Sequence, residues 1–445
     1  MKTRYFYLLL LTSLILWRCE PNVDEFVPTS GTADFSVYVS LGDSYSSGYI
    51  DGALSYTGQV NSFPNIIASQ LKSLGTADFK QPLLPEGTSV GSSLNGSYVL
   101  KVIGSMLLPV PTKGNPELLV DPSTWINSEA PFNNVAVPGA KSFHLVVSQF
   151  GNPALGKGNF NPYYARFASH PGFSTVIGDA MLNNPTFFSL WIGGNDVLWY
   201  GLSGGTGKPV GTGPYDITPV SLFKSSVDAI VRTLTSNGAK SGVICNIPGI
   251  DALPYFSYIK YDDLVVSADT AQLLNFLYSK APHIEFKEGR NPFVMADAKA
   301  PGGIRQMKEG EKVLLSAMSA ILGDEHYGVL KPLTDEMVLD LDELAVLNES
   351  TDKFNNILKQ TAESYDLAFV DANSIMQSLM DGIMIDGIGY NAEFVSGGFF
   401  SLDGIHASGR GYAIIANEFI KAINAKYGST VPLANVNDYT GVEFP

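Results

Sequence analysis

Gly42-Asp43-Ser44-Tyr45-Ser46-Ser47-Gly48 directly follows an apolar run that begins at Phe35. The apolar run predicts a buried strand, and the glycine- and serine-rich segment predicts a turn where that strand ends. Far along the chain, Asp403-Gly404-Ile405-His406 places a carboxylate and a histidine three residues apart. A serine hydroxyl becomes a useful nucleophile when a histidine accepts its proton and a carboxylate orients that histidine. The two segments contain the three residue types of a catalytic triad.

Within these segments, the sequence predicts Ser44 as nucleophile, His406 as general base and Asp403 as the carboxylate that orients it. The segment around Ser44 is not the G-x-S-x-G elbow of the α/β-hydrolases, because Ser46 stands where that motif has its second glycine. The pattern therefore indicates acyl transfer on a different scaffold.

Two more segments, Ala136–Ala140 and Trp191–Asp196, end apolar, strand-like runs. The carboxyl ends of the strands are where open α/β sheets bind ligands. A tetrahedral intermediate needs donors aimed at its negative oxygen. The backbone N–H groups of Ser44 and Gly139 and the side-chain amide of Asn195 are predicted to supply them.

Each segment alone is also compatible with an ordinary turn, but four of them in this order, each at a strand end, favour a catalytic site. Together they resemble the SGNH, or GDSL, hydrolase family from Phe35 to about Tyr427. The resemblance implies the same roles for the residues that match its motifs, namely Ser44, Gly139, Asn195, Asp403 and His406. Tyr45 replaces the leucine of the family's name motif, at a packing position.

Strand and helix patterns alternate along the chain, which predicts an α/β fold with a parallel sheet covered on both faces. The resemblance makes this a three-layer α/β/α sandwich, a flavodoxin-like five-stranded sheet. The predicted strands are 35–41, a strand ending at 137, one ending at 192, 242–247 and 367–370. The predicted helices are 65–74, 175–182, 220–235, 352–365 and 411–427.

Two long segments, about 75–131 and 251–347, interrupt this alternation and are predicted insertions beside the catalytic face, either binding walls or added scaffold. In the first, Leu94-Asn95-Gly96-Ser97 predicts a hairpin turn before the apolar run 98–110. In the second, helices are predicted at 268–278 and 309–322. Because Ser44 and His406 must meet, residues 34–428 are predicted to form one hydrolase domain, followed by a tail at 429–445.

The amino terminus predicts export. Lys2 and Arg4 precede the apolar stretch Tyr5–Leu16, which is typical of a secretory signal and too short to span a bilayer. Cys19 follows, and the segment resembles a bacterial lipoprotein signal, although the bulky residues before Cys19 differ from the usual small ones. We expect a signal peptide at 1–18, lipidation of Cys19, and a tether at 19–33 that holds the protein at the outer membrane or cell surface. The alternative is an uncleaved or differently cleaved signal.

Composition and charge indicate which kinds of binding partner the protein is expected to have. The net charge of -15 disfavours nucleic acid and anionic membrane surfaces. The chain has two cysteines, so lipidation of Cys19 would leave Cys245 without a disulfide partner. The histidines show no metal-ligand spacing, so no metal and no cofactor are expected.

The predicted activity is cleavage of lipid or other acyl esters, because the loop predicted after Asn195 and the loop predicted before Asp403 are apolar. These are Val197–Tyr200 and Phe399–Phe400, and the first insertion is also apolar. Aromatic and aliphatic walls suit an acyl chain, although the same residues are also suited to the core. Two alternatives remain open: a carbohydrate acetylesterase, and a non-catalytic surface binding protein on a hydrolase scaffold.

Overall fold

A computed structural model describes residues 26–104, 106–236 and 241–445 of the 445-residue chain. The strands, in chain order, are β1 (Tyr38–Gly42), β2 (Tyr49–Ile50), β3 (Ala53–Ser55), β4 (Ser89–Val90), β5 (Tyr98–Ile103), β6 (Met106–Pro111), β7 (Phe187–Trp191), β8 (Ser241–Cys245), β9 (Leu264–Val266), β10 (Gly289–Asn291), β11 (Val294–Ala296), β12 (Ile304–Gln306), β13 (Lys312–Val313), β14 (Val338–Leu339), β15 (Ala368–Val370), β16 (Ile383–Ile385) and β17 (Ile388–Tyr390).

The α-helices, in chain order, are α1 (Ser44–Ser47), α2 (Tyr56–Val60), α3 (Phe63–Leu71), α4 (Glu117–Val120), α5 (Pro162–Phe167), α6 (Val176–Met181), α7 (Gly194–Leu202), α8 (Val220–Ser236), α9 (Pro254–Ser257), α10 (Ala268–Leu277), α11 (Met318–Leu322), α12 (Leu341–Ser364), α13 (Ala372–Asp381) and α14 (Gly409–Tyr427).

The central sheet is parallel, in the order β1-β7-β8-β15. Every residue of β1, β7 and β8 is buried, as expected for strands covered on both faces. Cys245 is fully buried at the end of β8 and has a free thiol. The prediction of a mixed α/β fold around a parallel sheet is confirmed.

The predicted strand that ends at 137 takes a different form. Residues 133–137 lie beside β1 and exchange backbone hydrogen bonds with it, but they make a single parallel bridge, between Ser40 and Asn134. The Asn134 side chain accepts the N–H of Ala136 at 3.2 Å and donates to the carbonyl of Ser46 at 2.9 Å. These local side-chain bonds compete with a regular ladder.

The two longest helices pack on the sheet and have clear capping signals. Asp340 and Glu343 form a capping box at the start of α12, which packs on α8 and β8. The hydroxyl of Ser408 accepts the N–H of Gly411 at the start of α14, and Gly428 ends it in the left-handed conformation. Helix α14 packs on α3 and β15. It begins at Gly409, shortly after the predicted catalytic histidine His406.

The hairpin in the first insertion lies later than predicted. Strands β5 and β6 pair from Tyr98 with Pro111 to Ile103 with Met106, so the apolar run itself folds back at Gly104. The Asn95–Gly96 pair precedes β5, where Gly96 donates its N–H to Thr112. The hairpin turn was predicted at Asn95–Gly96, but the chain turns at Gly104, a glycine with positive φ.

In the second insertion, helix α10 agrees closely with the prediction, but the helix predicted at 309–322 covers only Met318–Leu322. Its first half instead forms β13, which pairs with β14. Glu311 is buried and makes a bidentate ion pair with Arg305, a tertiary contact that overrides the helical pattern. Helix α12 begins at Leu341, within the predicted insertion 251–347.

Small apolar cores lie inside this second segment, separate from the core around the sheet. One contains Phe293, Met295, Met307, Val313, Ala317, Leu333 and Val338. Another contains Val266, Ala271, Leu274, Ile284, Phe286 and Val294. A wall with its own packed core keeps a fixed shape beside the sheet.

Candidate active site

Ser44 is the first residue of α1, directly after β1. Asp43 caps this short helix, since its carboxylate accepts the N–H of Tyr45 at 3.1 Å. Gly48 then ends the helix in the left-handed conformation, with φ 82°. Burial raises the pKa of Asp43 to about 7. The sharp change of direction exposes the Ser44 hydroxyl at the carboxyl edge of the sheet.

His406 lies between Ser44 and Asp403. Its Nε2 is 2.8 Å from Ser44 Oγ, and its Nδ1 is 2.8 Å from Asp403 Oδ2. The other carboxylate oxygen, Asp403 Oδ1, accepts the backbone N–H groups of Ile405 and His406, each at 2.8 Å. The three side chains form a continuous hydrogen-bonded chain.

The environment of Asp403 keeps it ionised. Burial alone would raise its pKa, but the charge and hydrogen bonds of His406 and the backbone donors outweigh this and lower the pKa to about 2. An ionised carboxylate favours the tautomer of His406 with its proton on Nδ1, which leaves Nε2 free to accept a proton from Ser44.

Two tyrosine rings enclose the imidazole. The ring centroid of Tyr45 is 5.2 Å from that of His406, and the centroid of Tyr49 is 4.9 Å away. Tyr45 also donates its hydroxyl to the carbonyl of Ile405. Packing and hydrogen bonding together restrict the orientation of the His406 ring.

The predicted oxyanion donors follow neighbouring strands. Gly139 has φ 77°, a left-handed conformation that favours glycine, and follows segment 133–137. Asn195 lies in the first turn of α7 after β7, is buried, and donates its side-chain amide to the carbonyl of Ala140 at 3.0 Å. Within the described residues, the N–H groups of Ser44 and Gly139 donate no backbone hydrogen bond. Both are free to bind an oxygen of a ligand.

Two further contacts connect and support these loops. Asp196 Oδ2 accepts the backbone N–H of Ser142, and Asp196 Oδ1 accepts its hydroxyl, each at 2.8 Å. Asn161 donates its amide to the carbonyl of Pro138 at 2.8 Å. The Gly139 loop is therefore fixed both to the helix that carries Asn195 and to the start of α5.

A cleft of about 1720 Å³ opens over these residues. Its lining includes residues of the predicted site, namely Ser44, Gly139, Asn195, Asp403 and His406. Its walls are mainly apolar and come from both inserted segments, with Tyr98, Ile103 and Leu108 from the β5–β6 hairpin and Tyr255, Leu315 and Met318 from the second segment. The volume exceeds the 300–1,000 Å³ that is usual for small-molecule sites.

The predicted apolar wall is partly correct. Leu198 and Trp199 line the cleft, whereas their neighbours in α7, Val197 and Tyr200, are buried in the core. Phe399 and Phe400 are likewise core residues. In α7 the 3.6-residue helical period points Val197 and Tyr200 into the core and Leu198 and Trp199 towards the cleft. The sequence had been predicted to form a loop here, so this division was not expected.

His144 and Lys141 form another part of the wall. Burial, followed by the nearby Lys141, lowers the pKa of His144 to about 4, and its Nδ1 accepts the backbone N–H of Lys141 at 3.0 Å. The Lys141 ammonium donates to the carbonyls of Gly213 at 2.9 Å and Asp216 at 2.7 Å. These contacts fix the glycine-rich loop before α8 at the edge of the cleft.

The structure brings together the five predicted residues of the site, which arrive from four separate parts of the chain. Cys19 lies outside the described residues. No sequence pattern indicated the contacts of Ser142 and Asn161, or those of the turn Asp51–Gly52 with the Asp403 loop. The Asp-Gly pair soon after Ser44 was a readable turn signal, but its partner loop was not readable.

Two features are absent from the described part of the chain. No three histidine, cysteine, aspartate or glutamate side chains in residues 26–104, 106–236 and 241–445 are grouped so as to hold a metal ion. No helix in those same ranges has the length and apolar character needed to cross a bilayer.

A family model described as GDSL-like Lipase/Acylhydrolase matches residues 38–419. No curated protein matches the chain.

Several solved structures are similar to the chain at low identity. A catalytic mutant of the acetylxylan esterase Axe2 from Geobacillus stearothermophilus is 10% identical, with 89% of this chain and 97% of that chain covered and a TM-score of 0.36. LAE5, an alpha/beta hydrolase enzyme from the metagenome of Lake Arreo, is 11% identical, with coverages of 88% and 96% and a TM-score of 0.37. A protein described as a GDSL-like lipase from Parabacteroides merdae is 12% identical, with coverages of 90% and 100% and a TM-score of 0.35.

Proposed function

The chain belongs to the GDSL-like lipase/acylhydrolase family and is an ester hydrolase, and we propose that it cleaves esters through an acyl-enzyme formed on Ser44. The observation that carries this proposal is the continuous chain of hydrogen bonds from Ser44 through His406 to Asp403. A general base must lie within hydrogen-bond distance, about 2.6–3.2 Å between heavy atoms, of the group whose proton it takes, and His406 Nε2 meets that condition for Ser44 Oγ.

In the proposed reaction, Ser44 Oγ attacks the carbonyl carbon of the ester while His406 Nε2 takes the hydroxyl proton. Asp403 stays ionised and stabilises the imidazolium that forms. The tetrahedral intermediate collapses when the bond from carbon to the alcohol oxygen breaks, and His406 gives its proton to the departing alcohol. A water molecule, deprotonated by the same histidine, then attacks the acyl carbon. The bond from that carbon to Ser44 Oγ breaks, His406 returns the proton to Ser44 Oγ, and the acid is released.

We assign the oxyanion hole to the backbone N–H groups of Ser44 and Gly139 and to the side-chain amide of Asn195. The two backbone groups are free for a ligand, and the amide belongs to a buried residue at the carboxyl end of β7. Donors that are already in place need no reorganisation when negative charge develops on the oxygen.

As substrate we propose a lipid or another acyl ester with a large apolar part. The mainly apolar cleft supports this, since it is larger than a pocket for an acetyl group requires. Its walls combine aliphatic residues of both inserted segments with the half-buried Trp199.

A carbohydrate acetylesterase is the second candidate, supported by aromatic rings at the mouth of the cleft. Trp199 and Tyr215 have ring centroids 6.4 Å apart, both line the cleft, and Tyr215 is 49% exposed. Such rings also suit the apolar faces of sugars.

The test has two stages. A serine-directed phosphonate should label the full-length protein at Ser44, identified by peptide mass spectrometry, and should not label Ser44→Ala. The absence of labelling together with the absence of ester cleavage would support the non-catalytic binding protein instead. Esters that vary separately in acyl chain and alcohol would then distinguish the two enzymatic candidates.

We also propose that the sheet is the five-stranded, flavodoxin-like sheet of a three-layer sandwich. If residues 133–137 are counted as its second strand, the order is 2-1-3-4-5, which is the flavodoxin-like order. Support comes from the backbone bonds between that segment and β1. The single domain proposed for residues 34–428 would contain this sheet and both insertions.

For the location, we propose export and membrane anchoring through lipid on Cys19, after removal of residues 1–18. Support comes from the sequence, in which basic residues and the apolar stretch Tyr5–Leu16 precede the cysteine. Mass spectrometry of the exported protein would decide this, since an unmodified Cys19 would contradict it.

A further inference from the structure

The turn Asp51–Gly52 connects β2 to β3 shortly after the Ser44 helix. Both residues have positive φ, 53° and 74°, as a two-residue Asp-Gly hairpin turn requires. A Cβ at position 52 would lie 2.5 Å from the ring of Tyr98, so the glycine is needed for space as well as for conformation. The turn is held in one arrangement.

This turn contacts three consecutive residues of the loop that ends in the proposed triad. The Asp51 N–H donates to Ser401 Oγ at 3.1 Å, and Asp51 Oδ1 accepts the N–H of Leu402 at 2.8 Å. The Gly52 N–H donates to Asp403 Oδ2 at 2.9 Å. The turn therefore makes three successive contacts with residues that lie 350 or 351 positions later in the chain.

The last of these bonds involves the oxygen that faces the histidine. Asp403 Oδ2 accepts both the N–H of Gly52 and, at 2.8 Å, the Nδ1 of His406. The other oxygen, Oδ1, accepts the Ser401 hydroxyl at 3.2 Å, and that hydroxyl is itself bonded by Asp51. The orientation of the carboxylate thus depends on the turn through both of its oxygens.

We propose that Asp51 is a positioning residue for ester cleavage, which holds the 401–403 backbone so that Asp403 meets His406 in productive geometry. This rests on the proposed function. Asp51 does not line the cleft, so it acts through Asp403 and not on the substrate. Small losses of alignment in such a site reduce the rate by up to about 10²-fold.

The chain contains a matched control. Asp386–Gly387, between β16 and β17, also has positive φ at both positions, 51° and 82°. Asp386 is exposed and lies in a hairpin that does not line the cleft. The same substitution can therefore be made in two turns of the same type. The turn at Asp51 contacts the Asp403 loop, and the turn at Asp386 does not.

The experiment compares Asp51→Gly, Asp51→Asn and Asp386→Gly with the unchanged full-length chain. Asp51→Gly keeps a residue that accepts positive φ but removes the acceptor for Leu402. Asp51→Asn keeps an acceptor oxygen, and asparagine also tolerates this conformation. We expect Asp51→Gly to lower kcat roughly 10–100-fold with KM changed less than threefold. Asp51→Asn should retain kcat within about threefold, and Asp386→Gly should match the unchanged chain.

Hydrogen exchange provides a readout that does not need activity. Peptides covering residues 399–406 should exchange at least about tenfold faster in Asp51→Gly, and at the original rate in Asp51→Asn and Asp386→Gly. Folded Asp51→Gly with unchanged exchange in this segment, or with kcat within twofold, would overturn the proposal. So would Asp51→Asn as slow as Asp51→Gly. Failure of the proposed function would be recognised separately, by the lack of phosphonate labelling at Ser44 in the unchanged chain.

Discussion

Ser44 and His406 are 362 positions apart in the chain, yet Ser44 Oγ and His406 Nε2 lie 2.8 Å from each other. Ser44 begins the helix after the first strand of the sheet, and His406 directly precedes the first turn of the last helix, α14. The contact forms only when nearly the whole sheet is assembled. The proposed activity therefore depends on the complete domain and not on a local segment.

Replacing the proposed nucleophile tests this relationship most directly. We expect Ser44→Ala to remove ester cleavage and leave the fold unchanged, because the hydroxyl is needed for chemistry and residues of one catalytic unit lose most of the rate together. Turnover of a short-chain ester and circular dichroism check both parts. Ser46→Ala is the control, since the buried Ser46 hydroxyl has no partner in the described residues. Near-normal turnover by folded Ser44→Ala would contradict the assignment.

The amide of Asn195 is predicted to act on the transition state. Asn195→Ala should lower kcat by roughly 10²–10³ with little change in KM, as for loss of one oxyanion donor. Asn195→Asp should be at least as slow. A carboxylate has nearly the same shape as the amide, but it cannot donate a hydrogen bond to the oxyanion and its negative charge repels it. A change confined to KM would mean that Asn195 binds the substrate and does not stabilise the oxyanion.

Several parts of this arrangement could be predicted from the sequence. The strands before Ser44 and Asn195 were readable because they are fully buried and therefore mostly apolar, with one serine in each. Three of the four segments were readable because each has glycine or a polar residue where a strand or strand-like segment ends. The fourth, Asp403–His406, was expected at a strand end but instead precedes helix α14. Helix α14 was placed within two residues by its glycines and apolar period.

Other features depend on contacts between distant parts of the chain. The Asp51–Gly52 turn was visible as a turn, but nothing local indicates that it binds Leu402 and Asp403. The helix predicted from 309 failed because the Glu311–Arg305 ion pair and the β13–β14 pairing hold that segment extended. The apolar residues of α7 divide between the core and the cleft because successive residues of a helix point in different directions. The prediction treated this segment as a loop and therefore could not separate them.

Buried carboxyl groups predict greater stability in mild acid than at alkaline pH. Burial raises the pKa of Asp43 and Asp51 to about 7 and that of Asp196 to about 6. Between about pH 4 and pH 7 these three carboxyl groups therefore bind more protons in the folded state than in the unfolded state, which lowers stability as pH rises. His144, whose pKa is lowered to about 4, acts in the opposite direction in the lower part of this range, but it is one group against three. We expect Tm to be roughly 2–5 °C higher at pH 5 than at pH 8, measured by calorimetry.

The contribution of one of these groups can be isolated. Asp51→Asn removes a carboxyl with a raised pKa, so the difference in Tm between pH 5 and pH 8 should shrink, whereas Asp386→Asn at the exposed turn should leave it unchanged. Asp403 acts in the opposite direction, because its lowered pKa of about 2 adds stability that is lost only as pH falls from about 4 towards 2. A Tm that rises from pH 5 to pH 8 would contradict the prediction.

The dependence of rate on acyl length separates the two proposed substrates. If the apolar walls bind an acyl chain, each buried methylene contributes about 0.8 kcal/mol. At roughly 1.4 kcal/mol for each tenfold change, four added methylenes from acetyl to hexanoyl could raise kcat/KM by about two orders of magnitude. A carbohydrate acetylesterase should show the opposite order, because a pocket closed around a methyl group excludes longer chains sterically. Esters of one alcohol should be compared below their micelle-forming concentrations, so that aggregation does not imitate preference.

A variant of the wall makes this test specific to the cleft. Trp199 lines the cleft, while its neighbour Tyr200 is buried in the core. Trp199→Ala should reduce the gain from acetyl to hexanoyl or octanoyl and change acetyl ester cleavage much less, because only the longer chains reach the wall. Leu198→Ala, at the preceding position, which also lines the cleft, should act in the same direction with a smaller effect, since it removes less apolar surface. A steep fall in kcat/KM from acetyl to butanoyl in the unchanged chain would instead favour the carbohydrate acetylesterase.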